Sequence, residues 1–82
     1  MNGDLWKRCV EELGIDRVRD TVLPGLNDCM RGRGEGRYSF DLGQEYGAII
    51  HCELKTVEIF DDATGDEETY SLEEFSAMLG PR

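Results

Sequence analysis

An α+β domain, with helices packed on one face of a small antiparallel sheet, is what these 82 residues predict. Three observations carry it. Apolar residues recur at helical spacing from Leu5 to Cys29, they alternate with polar ones from Tyr38 to Phe60, and a capping signature at Ser71 opens a last helix. The implied order is an N-terminal αα-hairpin (1–31), a three- to four-stranded antiparallel meander (37–70) and a C-terminal helix (71–80). All of it forms one domain, because a chain of this length has no room for a second core.

The first helix opens at Asp4 as cap, and Leu5, Trp6, Cys9, Val10 and Leu13 make its buried stripe. Gly14 ends it. Asp16 is the expected cap of a second helix carrying Val18, Val22, Leu26 and Cys29 on one face, and Pro24 predicts a kink or break near Thr21–Leu23. The stretch "RGRGEGR" (31–37) reads as a flexible connector. It lacks the G-x-G-x-x-G spacing of a phosphate cradle and follows a helix where that motif needs a strand.

Period-2 alternation then defines strands. Tyr38, Phe40 and Leu42 share one face of the first; Ala48, Ile50, Cys52 and Leu54 share one face of the second, after a turn at "GQEYG" (43–47); Val57 and Ile59 belong to the third. A fourth strand at 68–70 is the optional element of the meander. In the last helix Ser71 and Glu74 have capping-box spacing, Tyr70 and Phe75 have the spacing of a hydrophobic staple, and Leu72, Phe75, Met78 and Leu79 form the apolar face up to Gly80-Pro81.

Chemistry-bearing residues are few. His51 is the single histidine, and Cys52 next to it falls on the opposite side of the same strand, so the two cannot act together. A tight turn at Leu54–Lys55 would set His51 directly across from Glu58 as a surface pair. No catalytic constellation is visible, and the reading is not an enzyme. The three cysteines lie on apolar stripes and are expected as free, buried thiols in a reducing compartment. "DDATGDEE" (61–68) lacks the frame of a calcium loop, no two cysteines have zinc-ligand spacing, and no cofactor is implied. No apolar run is long enough to span a bilayer, and "MNGDLWKRC" lacks the apolar core of a signal peptide, so the expected location is cytoplasmic.

Charge placement is the informative feature. Residues 1–37 hold seven basic and seven acidic side chains, whereas 38–82 hold eleven acidic ones against Lys55 and Arg82 and so carry the whole −9. "DDATGDEETYSLEEF" (61–75) has seven carboxylates and no basic residue. Glu73 and Glu74 suit the first turn of a helix. The remainder raises self-repulsion without an evident folding gain. Carboxylates two apart on a strand are roughly 6.7 Å apart, near the spacing of successive phosphates on a nucleic-acid strand.

The expected partner is therefore a protein with a basic surface, a nucleic-acid-binding effector or a nuclease. No direct nucleic-acid binding and no membrane contact is expected. Asp61, Asp62, Asp66, Glu67, Glu68, Glu73 and Glu58 are the candidate docking residues. In size, charge and fold class the chain resembles the small acidic nucleic-acid mimics that phages and mobile elements turn on host defence, such as anti-CRISPR and anti-restriction proteins. That resemblance implies a stoichiometric inhibitor. The alternatives are an immunity protein for a basic nuclease toxin, or a regulatory or structural subunit that dimerises through Ile49 and Phe60 on the outer sheet face.

Overall fold

The computed structural model describes residues 4–32 and 36–80. Its elements run α1 (Asp4–Leu13), α2 (Ile15–Met30), β1 (Arg37–Gly43), β2 (Tyr46–His51), β3 (Thr56–Asp61), β4 (Glu67–Ser71) and α3 (Leu72–Leu79). The strands form one antiparallel sheet in the order β1-β2-β3-β4, so the α+β reading holds and the fourth strand is present. All three helices pack on the same face, where Ala48, Ile50, Val57 and Ile59 meet Leu5, Cys9, Val18, Val22, Leu26, Phe75 and Leu79 in one core.

Two turns set the helical layer. Gly14 alone joins α1 to α2, at φ +89°, a region that side-chain-bearing residues rarely adopt. The amide of Gly14 still donates to the carbonyl of Val10. Because the connection is a single residue, α2 already begins at Ile15, and Asp16 does not cap it. Its carboxylate instead accepts from Arg19 at 2.8 Å. Arg19 also donates twice to the Leu79 carbonyl, at 3.0 and 2.6 Å, and so closes the C-terminal end of α3.

Pro24 does not break α2, which is continuous from Ile15 to Met30. Val18 and Val22 are buried before it and Gly25 and Leu26 after it, so packing holds both halves against a local cost of ~3 kcal/mol. Of the flexible connector expected at 31–37, Arg31 and Gly32 form a turn and Arg37 begins β1, while 33–35 lie outside the described residues.

The β1–β2 hairpin turns on Gln44 and Glu45, both at positive φ (51° and 70°), the pair of left-handed residues that a two-residue turn between twisted strands requires. β2 ends at His51, three residues before the Leu54 to which the alternation extends, because 52–55 form a four-residue turn. Leu54 is consequently 71% exposed instead of facing the core. The register moves with it: His51 opposes Thr56, and Glu58 opposes Ile49. His51 and Glu58 still meet, diagonally, with Nε2 to Oε1 at 3.3 Å.

The expectation of three free thiols is overturned. Cys29, at the end of α2, and Cys52, in the β2–β3 turn, are joined by a disulfide, with Cα atoms 5.1 Å apart. Cys52 lies in the turn just past β2, and its partner Cys29 is on α2, one of the helices that cover the inner face of the sheet. Cys9 is the free one. It is fully buried, and burial pushes its thiol up to about 11. No helix among the described residues is long and apolar enough to cross a membrane.

Candidate interaction face

Strand alternation splits the acidic run into an inward and an outward set. Asp61 continues the inward row of Val57 and Ile59 and is 6% exposed. Its Oδ1 accepts from the amide of Ala63, which builds the turn after β3. Arg8 on α1 lies 3.9 Å from Asp61 and donates to Asp66 at 2.9 Å. The guanidinium holds the Asp66 carboxyl below its usual range, and the bond in turn raises Arg8. The absent basic residue of this stretch is thus supplied from elsewhere in the chain.

Glu68 is inward as well. Its two carboxylate oxygens accept from the amides of Leu5 and Trp6 at 3.4 and 3.3 Å, the open N–H groups at the start of α1, and Oε1 also accepts from the Tyr70 hydroxyl. Glu74 closes the capping box: its amide donates to the Ser71 hydroxyl at 3.1 Å and its side chain accepts from the Ser71 amide at 3.0 Å. That amide hydrogen bond holds the Glu74 carboxyl low. Asp61, Asp66, Glu68 and Glu74 therefore each have a folding role.

The outward set is different. The open face of the sheet carries Arg37, Ser39 and Asp41 from β1, Gly47, Ile49 and His51 from β2, Thr56, Glu58 and Phe60 from β3, and Glu67 and Thr69 from β4. Phe60 lies over Gly47, where an added Cβ would come within 2.3 Å of the ring. Two shallow hollows flank that ring. One is bordered by Asp41, Glu45 and Asp62, the other by Ile49, Glu58, Asp62 and Glu67. The two turns that frame them are tied by the Asp62 amide donating to the Glu45 carbonyl at 2.9 Å.

Of the residues singled out in the sequence, Asp62, Glu67 and Glu58 come together around Phe60 and Ile49. Glu73 is exposed on α3, away from this group. Asp41 and Glu45 join the group without having been singled out; their signal was position, Asp41 alternating with Phe40 and Glu45 lying in the turn beside Tyr46. No group of three or more histidine, cysteine or acidic side chains with metal-holding geometry occurs among the described residues. Compared with known proteins, the chain matches no family model, no curated protein and no solved structure.

Proposed function

We propose that the chain is a non-enzymatic interaction protein, a stoichiometric inhibitor that docks on the basic surface of a nucleic-acid-binding protein. One observation supports this above the rest: Phe60 and Ile49 form an apolar centre on the open sheet face, bordered by Asp41, Glu45, Glu58, Asp62 and Glu67. An apolar centre with a charged rim is the layout of a protein interface, in which the centre is desolvated and the rim steers approach. The −9 net charge repels nucleic acid and attracts what binds it. An immunity protein facing a basic nuclease would use the same face, and loss of nuclease activity on mixing identifies that case.

A cytoplasmic setting belongs to this proposal. It requires the Cys29–Cys52 bond, or the thiol pair that replaces it, to keep α2 on the sheet in the presence of a reducing thiol pool.

The test is competition. A nucleic-acid-binding protein retained by the immobilised chain is loaded with labelled nucleic acid, and displacement is followed across a salt series. Wild type should displace it stoichiometrically and less well as salt rises, and an Asp62→Lys, Glu67→Lys variant should fail. Equal displacement by the two chains would remove the open face from consideration.

A further inference from the structure

We infer that β1 is a dimer edge, at which a second copy of this chain pairs antiparallel with its own β1 about a two-fold axis at Ser39, joining the two sheets into one. This surface is the β1 edge of the sheet; it adjoins the open face proposed above and shares Asp41 with its rim.

The hydrogen-bond phase of the strand allows it. The Cys52 amide donates to the Gly36 carbonyl at 2.9 Å, so residues 36 and 52 form a bonded pair. Antiparallel ladders alternate bonded and non-bonded pairs, which makes Tyr38–Ile50 and Phe40–Ala48 bonded and turns the amides and carbonyls of Arg37, Ser39 and Asp41 outward. β1 is an outer strand of the sheet, and among the described residues no backbone hydrogen bond reaches it from any element but β2 and its turn. The regular part of that edge, 37–41, ahead of the register shift between Asp41 and Gly43, is a template for a further strand.

The side chains select the occupant. In an antiparallel pair centred on Ser39, residue 37 opposes residue 41 of the other copy, and 38 opposes 40. Arg37 then faces Asp41 twice, once on each side of the axis, on the open face of the joined sheet. Tyr38 faces Phe40 twice on the helix-covered face. Both aromatic rings are half-buried in the single chain, stacked on each other with centroids 6.5 Å apart, and Phe40 is pressed against Gly25 of α2. The sequence "RYSFD" (37–41) is complementary to its own reverse, in charge and in aromatic content, about the serine. Arg37 and Asp41 also leave this stretch locally neutral, so no like charges are set against each other at the contact, and the −9 of each copy acts as a longer-range repulsion that salt screens. The other outer strand, β4, has Glu67 on its open-face row and no basic residue to match it. A two-fold pair of this kind closes on itself, which caps the assembly at two copies.

The experiment is sedimentation velocity at ~0.15 M salt from about 10 µM to about 1 mM, the range for a weak interface. A monomer–dimer equilibrium is expected. Ser39→Pro removes an outward amide at the axis and no bond to β2, so it should give monomer with an unchanged melting curve. Arg37→Asp should weaken the dimer on the order of tenfold by setting like charges opposite, and Arg37→Asp with Asp41→Arg should restore it. The swap also covers the case in which Ser39→Pro fails to fold. A monomer at every concentration, or a dimer indifferent to both Ser39→Pro and Arg37→Asp, would overturn the inference.

Discussion

The Arg8 guanidinium donates to the Asp66 carboxylate at 2.9 Å across 58 residues of sequence, and the same guanidinium lies 3.9 Å from the buried Asp61. A loop with no cation of its own thereby receives one from α1. Arg8→Met should lower the melting temperature at pH 7. Asp66 has a folded pKa below its unfolded value, so its share of stability is present above the unfolded pKa and is lost as pH falls through the folded one. Urea melts of wild type and Arg8→Met should therefore differ at neutral pH and converge below ~4. A constant gap down to pH 2 would show that Arg8 acts through packing alone.

Glu68 stands in for a cap of α1, accepting from the Leu5 and Trp6 amides. Glu68→Ala should cost ~1 kcal/mol, the usual loss of a capping acceptor. Hydrogen exchange at the start of α1 should speed up while that of α3 stays unchanged. Equal acceleration in both helices would mean global loosening in place of a lost cap.

In α3 the cap and the core should separate by size of effect. Ser71→Ala should cost ~1 kcal/mol by removing the acceptor for the Glu74 amide. Phe75→Ala should cost ~3–5 kcal/mol, since the ring is fully buried and meets Trp6 edge-on at 5.4 Å. Denaturant titration of both variants checks the order, and a smaller loss for Phe75 would contradict the packing of α3 on the core.

Thiol counting tests the covalent bond. Native protein should take up no alkylating reagent, because Cys29 and Cys52 are paired and Cys9 is buried with its thiol pushed up to about 11. After mild reduction two groups should label, and the third only on unfolding. Reduction should lower stability by ~3 kcal/mol, appropriate to a 23-residue separation. Labelling of one or more groups in untreated protein would contradict the pairing.

Gly47 offers a charge-neutral probe of the open face. An alanine there places its Cβ 2.3 Å from the Phe60 ring as it now lies, so the ring must move, at ~1–3 kcal/mol. Gly47→Ala should weaken partner binding without altering its salt dependence. Unchanged affinity would leave only the carboxylates as contributors.

The elements most legible in the sequence were those with local signatures: the single-glycine break at Gly14, the alternation of β1 and β3, and the Ser71–Glu74 box. Asp16 and Pro24 misled because a cap depends on where the preceding turn ends, and because buried neighbours on both sides outweigh a proline. Cys52 misled because its alternation with Ile50 continues past His51, the last residue of β2, and nothing local marks where the turn to β3 begins. The acidic run was legible as charge but not as role. Alternation alone separates Glu67 from Glu68, whereas the Arg8 bond to Asp66 and the capping of α1 by Glu68 are tertiary and leave no local trace.

The Cys29–Cys52 bond also changes what counts as one molecule. It closes a covalent ring through β1, β2 and the segment between α2 and β1. A peptide bond cut anywhere inside that ring produces new chain ends but releases no fragment, so a nicked chain should run at full mass until a reductant is added. The same ring allows the protein to be assembled from two separate pieces, divided between α2 and β1 and rejoined by the sulfur bridge, with the helical hairpin made independently of the sheet it covers.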